Sequence, residues 1–241
     1  MTASLRVLDL SGYSPSKQAL ALAKDVFFDA SPQPLASKAD LQTTDPLILY
    51  IVGHAFPDAL VAPALQSLMQ DGQTTGNGKG IVRESSFASF LKEQRGRNPT
   101  LIIWDICFAK SFAQINGNEW GDFPYVHIFA CEKYEQTWHS GDTSDPPRQT
   151  LLSMALQGAT ARGAFENWAE LQQRLEDRLP LQRPSIDHNG LDPAVFGLPK
   201  PLTIKDQGIF DLLFQVVVAV ASMVASVVAK PFRAMGLSSV R

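Results

Sequence analysis

The sequence predicts an α/β fold with a mostly parallel central sheet flanked by helices on both faces. Residues 47–52 and 101–104 form two continuous apolar runs, the pattern of strands buried on both sides. Segments with the character of helices alternate with the strands along the chain. This alternation is typical of a parallel sheet, because a crossover between parallel neighbours is usually made by a helix.

Local signals define the individual elements. Ser14 and Pro15 mark the start of the first helix, since serine caps helices and proline is tolerated at the first helical position. The glycine-rich segment 71–80 predicts an exposed loop. In chain order, the predicted elements are strands at 5–10, 47–52 and 101–104, and helices at 14–28, 59–69, 85–91, 150–157 and 165–179.

The composition limits the class of protein. The chain has 241 residues, of which 45% are apolar, enough for one α/β domain and a small extension. With a net charge of −3 and no basic stripe, no nucleic-acid partner is expected. Two cysteines do not form a disulfide framework, and the N-terminus lacks the features of a signal peptide. The sequence therefore predicts a cytoplasmic protein.

Two reactive side chains follow the two apolar strands. His54 comes after the strand at 47–52, and Cys107 comes shortly after the strand at 101–104. Parallel strands present their functional groups at their carboxyl ends, so the imidazole and the thiol are expected side by side. A cysteine hydrolase needs this pairing of nucleophile and base.

At these residues the chain resembles the caspase-like peptidases, which comprise caspases, metacaspases and bacterial relatives. The matching segments are Tyr-Ile-Val-Gly-His-Ala at 50–55 and Ile-Trp-Asp-Ile-Cys at 103–107. Their spacing fits the separation of about 50 residues between histidine and cysteine in caspases. The resemblance covers residues 1–198 and implies a caspase-like fold, with further strands at 125–131 and 182–186.

The sequence departs from the family pattern in two places. Ala55 stands where the family usually has glycine, and Phe-Ala-Lys-Ser at 108–111 replaces the more usual His-Ser-Gly type of sequence. These departures leave a second interpretation open, in which the chain is a catalytically inactive homologue that serves as an interaction module. A third is a different cysteine hydrolase, such as an amidase, on a similar sheet.

The expected chemistry is nucleophilic catalysis. Cys107 is the candidate nucleophile and His54 the general base that later returns the proton, since only the thiolate is strongly nucleophilic. The resemblance implies that the backbone N–H groups of Ala55 and Cys107 hold the oxyanion formed on the way to a thioester. The structural alternative is a buried thiol at a strand end beside a core histidine.

The resemblance also implies a substrate preference. In metacaspase-like relatives, the aspartate two residues before the cysteine lines the specificity pocket and favours Arg or Lys, and Asp105 has this position. Glu132 is the candidate for a second negative charge. Asp105 could instead accept only backbone N–H bonds from a neighbouring loop. A preference for aspartate would need a specificity pocket lined by arginine. Arg148 and Arg162 are present in the sequence, but neither stands in a motif of the family.

The remaining histidines and the second cysteine have simpler interpretations. Cys131 is predicted to be structural or pocket-lining, His127 to be packed within its strand, and His139 and His188 to be solvated. No His/Cys pair has the spacing of zinc ligands, so neither a metal nor a cofactor is expected.

The C-terminal part carries a separate signal. Residues 212–229 are uncharged and as a helix would span roughly 27 Å, close to the thickness of a bilayer core. The expected organisation is a caspase-like peptidase domain at 1–198, a linker at 199–208, and a hydrophobic helix with a basic tail at 209–241. Residues 209–229 are the candidate membrane contact; the alternative is a helix that covers the domain or a partner.

Together these features predict a cysteine-type endopeptidase that cleaves protein or peptide substrates after Arg or Lys. It is expected to be cytoplasmic, with membrane association through the C-terminal helix. The alternative is the inactive caspase-like homologue, acting as a membrane-associated interaction module.

Overall fold

The computed structural model describes most of residues 1–198. The predicted N-terminal helix at 14–28, apart from two of its residues, lies outside this part, as do the linker at 199–208 and the segment at 209–241. The described residues are 3–10, 19–20, 31–57, 59–69, 80–114, 120–137, 150–161 and 165–198.

Nine strands and five α-helices make up this part of the chain. The strands are β1 (Ser4–Asp9), β2 (Gln33–Pro34), β3 (Leu47–Gly53), β4 (Ala55–Phe56), β5 (Ala59–Val61), β6 (Ile81–Val82), β7 (Thr100–Ile106), β8 (Tyr125–Phe129) and β9 (Ser185–His188). The helices are α1 (Pro63–Met69), α2 (Glu84–Arg95), α3 (Ala109–Gln114), α4 (Leu151–Ala161) and α5 (Trp168–Glu176).

The central sheet has six strands in the order β2-β1-β3-β7-β8-β9. All neighbours are parallel except β8 and β9, which run antiparallel. The two apolar runs become β3 and β7, which lie next to each other at the centre. The predicted mostly parallel sheet is confirmed.

Helices cover both faces of this sheet, as the sequence predicts. On one face, Ile103 and neighbouring strand residues pack with Leu152 of α4 and Leu171 of α5. On the other face, Trp104 packs in a second cluster with Phe87 of α2, to which α1 and α3 also contribute. Successive side chains of a strand point to opposite faces, so a continuous apolar run supplies both cores.

A second, small sheet was not predicted. It has the order β4-β5-β6 and is antiparallel. Residues 59–61 belong to it, so the predicted helix at 59–69 is wrong at its start, and the helix begins at Pro63. The physical reason is that proline is favoured in the first helical turn and disfavours helical backbone in the residue before it.

None of the helices within the described residues is long and apolar enough to cross a membrane. The predicted hydrophobic helix at 209–229 lies outside the described part of the chain.

Candidate active site

The register of the central strands places His54 and Cys107 at equivalent positions. Gly53 of β3 pairs with Ile106 of β7, and the next residue of each strand is His54 and Cys107. Neighbouring strands lie about 4.8 Å apart, so the two side chains leave the same edge of the sheet from adjacent strands. His54 is exposed and Cys107 is partly exposed.

Both residues sit beside backbone with positive φ. Gly53 precedes His54 with φ 132°, and a Cβ built on it would lie 3.0 Å from the Cβ of Leu10, so this position requires glycine. Phe108 follows Cys107 with φ 56°, which costs about 1–2 kcal/mol for a residue other than glycine. Backbone strain of this kind clusters at functional sites.

The loop after β8 holds the turn that follows Cys107. The N–H of Phe108 donates to the carbonyl of Glu135 at 2.8 Å, and the thiol of Cys131 donates to the same carbonyl at 3.2 Å. The Sγ of Cys107 lies 3.7 Å from the Oγ1 of Thr137. These contacts hold the candidate nucleophile from the loop that follows β8.

Cys131 is unsuited to act as the nucleophile. It is fully buried, and burial raises the pKa of its thiol to about 12, against the opposing effect of backbone N–H groups of Ala109 and Phe108. The side chain therefore stays a thiol at neutral pH, whereas nucleophilic attack requires the thiolate.

Asp105 is buried on the α4 side of the sheet, with 2% of its surface exposed. Its Oδ2 accepts hydrogen bonds from the hydroxyl of Tyr50 at 2.6 Å and from the Oγ1 of Thr150 at 2.5 Å. The partners of this carboxylate in the described structure are thus side-chain hydroxyls. Within the same part of the chain, its Oδ1 has no hydrogen-bond partner.

Thr150 brings the start of α4 to this carboxylate. Its Oγ1 accepts from the N–H of Ser153 at 2.9 Å, and its own N–H donates to the Oγ of Ser153 at 3.1 Å. Such reciprocal bonds form a capping box. They direct the hydroxyl hydrogen of Thr150 toward Asp105.

Asp9 is a residue of this edge that the sequence reasoning missed. It pairs with Val52, which in turn pairs with Asp105, so the two aspartates flank one strand on the same face at a separation of about two strand spacings. Asp9 is buried, with 3% of its surface exposed. A charged residue at the end of an apolar strand was the signal that could have identified it.

Ala55 and Glu132 have less direct positions. Ala55 begins β4 directly after His54 and pairs with Leu60 of the small sheet. The carboxylate of Glu132 forms an ion pair with Lys110 of α3 at 2.6 Å. The negative charge expected from Glu132 is therefore balanced by a cation one turn after Cys107.

The other histidines fall into two groups. His127 is buried among aromatic rings, and burial lowers its pKa to about 3, so the expected packed role is confirmed. His188 is exposed at the end of β9. His139, Arg148 and Arg162 lie outside the described residues. Among the residues that the structure does describe, no three His, Cys, Asp or Glu side chains are grouped as metal ligands.

Titration of Asp105 is expected to couple stability to pH. Burial raises its pKa to about 6 from 3.8, while hydrogen bonds from Thr150 and Tyr50 act in the opposite direction. Because the folded-state pKa is the higher one, the stabilising contribution is present below about pH 4 and is lost as the pH rises through about 6. This group should lower the free energy of unfolding by on the order of 2–3 kcal/mol over that range.

Urea denaturation of the wild type and of Asp105→Asn across this pH range measures the effect. The difference between the two proteins should change with pH by the amount above, since asparagine does not titrate. Parallel pH dependences would contradict a raised pKa at Asp105.

The solved structures that are similar to this chain include the following two. A protein from Geobacter sulfurreducens has 11% sequence identity and a TM-score of 0.47, with 83% of this chain and 97% of that chain covered. Caspase-1 from Spodoptera frugiperda has 11% identity and a TM-score of 0.42, with 78% and 87% covered. No family model matches the chain, and the search of curated proteins found no match. At these identities and TM-scores, neither structure assigns an activity.

Proposed function

We propose that this protein is a cysteine-type endopeptidase in which His54 and Cys107 form the catalytic pair. The observation that carries the proposal is the register of β3 and β7, which ends both strands at one edge of the sheet with an imidazole and a thiol as the next residues. The positive φ at Gly53 and Phe108 supports it, because such backbone conformations cluster at functional sites.

The proposed reaction begins with transfer of the Cys107 proton to His54. The thiolate attacks the scissile carbonyl carbon, and the negative oxygen is held by the backbone N–H groups of Ala55 and Cys107. Collapse of this intermediate breaks the C–N bond, and the amine leaves with the proton from His54. Water then attacks the thioester, giving up a proton to His54, and the acid product and the free thiol are released.

The proposed substrates carry a basic residue before the scissile bond. Asp105 and Asp9 supply two buried carboxylates at this edge of the sheet. An ionised carboxylate in a site shielded from water selects for a cation, because a neutral or acidic side chain would leave the charge unpaired. Glu132 makes a smaller contribution, since Lys110 already compensates its charge.

Hydrolysis of fluorogenic peptides that differ only in the residue before the cleaved bond tests the proposal. The wild type should cleave after Arg or Lys, and His54→Ala should lose most of this activity while retaining its fold. Cleavage after Asp would keep the catalytic pair and overturn the assignment of Asp105. Hydrolysis of small amides without cleavage of peptides would indicate a different cysteine hydrolase.

A second candidate function is an inactive homologue that serves as an interaction module. The observations that favour it are Ala55 and the sequence at 108–111, where the residues differ from the family pattern. Absence of turnover with every peptide, together with a folded wild-type protein, would support this function over the first.

A further inference from the structure

Only one of the two carboxylate oxygens of Asp105 accepts hydrogen bonds from the described residues. Its Oδ2 accepts two short hydrogen bonds, from Tyr50 and Thr150, while its Oδ1 is buried without a partner in the described part of the chain. A carboxylate oxygen has two lone pairs. Oδ2 is therefore saturated, and Oδ1 retains both of its acceptor positions.

A hydrogen-bond donor would stabilise the buried Oδ1 of Asp105. A buried acceptor without a hydrogen bond is unfavourable, because it has lost its contacts with water and gained none. A proton could fill the position, but burial sets the pKa of Asp105 at about 6, so the ionised form predominates at neutral pH. A basic side chain of a substrate is a donor of the kind that this oxygen lacks.

The fold fixes which oxygen stays open. Tyr50 lies in the centre of β3, fully buried and on the same face as Asp105. Thr150 is locked by its reciprocal bonds to Ser153 at the start of α4. Rotation of the carboxylate would break the hydrogen bonds to both hydroxyls, so the asymmetry is a property of the packed core.

We infer that Tyr50 and Thr150 are positioning residues that make the site prefer lysine over arginine before the scissile bond. This inference rests on the proposed function and narrows its substrate class. A guanidinium pairs best with a carboxylate through two parallel bonds to both oxygens, whereas an ammonium is a point charge that one oxygen can satisfy. With Oδ2 saturated, arginine loses its second bond and lysine loses nothing.

The other described acidic residues at this edge do not provide a second acceptor for a paired, two-bond contact with arginine. Asp9 lies across Val52, about two strand spacings from Asp105, which is too far for one guanidinium to bridge both in a planar pair. Glu132 is held by Lys110. The preference for lysine therefore depends on the two hydroxyls that occupy Oδ2.

Matched peptides with Lys or Arg before the cleaved bond test the inference through their ratio of kcat/KM. The wild type should favour lysine by about fivefold or more, as expected for the loss of one charge-assisted hydrogen bond. Tyr50→Phe frees a lone pair of Oδ2 and should move the ratio toward arginine by a similar factor. Tyr125→Phe removes a hydroxyl that lies near Asp187 instead and should leave the ratio unchanged.

Thr150 provides a second, independent pair of variants. Thr150→Val removes the hydroxyl and should also shift the ratio toward arginine, whereas Thr150→Ser keeps it and should restore the preference for lysine. The pH profile adds a readout that a purely structural role would not move. Both hydroxyls lower the pKa of Asp105, so their loss should shift the acidic limb of kcat/KM to higher pH.

Binding of the same peptides to Cys107→Ala, measured by calorimetry, separates this inference from the proposed function. Turnover with a ratio that neither Tyr50→Phe nor Thr150→Val changes would overturn the inference and leave the peptidase standing. A second outcome is that Cys107→Ala binds the lysine peptide more tightly, that this preference is lost in the hydroxyl variants, and that the wild type shows no turnover. This outcome would support the inference and overturn the proposed peptidase activity. No binding and no turnover would overturn both.

Discussion

Replacing Cys107 by alanine is expected to reduce peptide hydrolysis by three orders of magnitude or more, which is the usual consequence of removing a covalent nucleophile. The chain has one other thiol, Cys131, and burial raises its pKa to about 12, so it cannot substitute. The measurement is kcat/KM on the best peptide, with circular dichroism to show that the variant is folded.

Cys131→Ala is the matched control for this experiment. It removes a buried thiol and should cost roughly 1–2 kcal/mol of stability, while retaining most of the activity. A thiol-directed alkylating reagent should label Cys107 first, because Cys107 is partly exposed and Cys131 is buried. Activity that survives in Cys107→Ala but disappears in Cys131→Ala would reverse the assignment of the nucleophile.

Replacing Arg95 by methionine is expected to destabilise the fold by roughly 3–5 kcal/mol, the effect of removing the shared donor of a buried hydrogen-bond network. Arg95 is 1% exposed at the end of α2. Burial lowers its pKa to about 10, so it remains charged at neutral pH. The guanidinium donates to the Oγ1 of Thr100 and to the carbonyls of Leu41, Thr43, Asp45 and Pro99.

These acceptors lie in the segments that lead into β3 and β7, the strands that carry His54 and Cys107. Loss of Arg95 removes one donor from each of these carbonyls, and lysine cannot replace the planar fork of N–H groups, so Arg95→Lys should recover only part of the stability. Arg97→Met is the matched control, because Arg97 is exposed and should change stability by less than about 0.5 kcal/mol. Urea denaturation of the three variants measures this, and equal midpoints would contradict the role of Arg95.

Local signals predicted the central strands and four of the five α-helices of the described residues, but not α3 (Ala109–Gln114), which contributes to the second core. The runs that became β3 and β7 are apolar without interruption, and the two faces of the sheet need apolar residues at every position. Helix α2 was predicted from its start and extends further than expected, from Glu84 to Arg95. The parallel pairing of β3 and β7 places His54 and Cys107 at equivalent positions, each directly after its strand.

The small sheet shows where local signals fail. Strands β4 and β6 have two residues each, too few to show the alternation that identifies a strand. Residues 59–61 precede a helix and share its apolar character, so the helix predicted from the sequence included them. Their backbone is instead set by pairing with β4 and β6, and no pattern within residues 59–69 reveals this pairing.

Neighbours along the chain were enough to identify the alternation of strands and helices, the buried central strands, and the two residues proposed for catalysis. The surroundings of Asp105, by contrast, depend on contacts between separate elements. Tyr50, Thr150 and Asp9 come from three separate elements, and no local pattern relates them to this carboxylate. The register of the strands and the capping of α4 bring them together. The two hydroxyls then bind Oδ2 of Asp105, and Oδ1 is left without a hydrogen-bond partner in the described part of the chain.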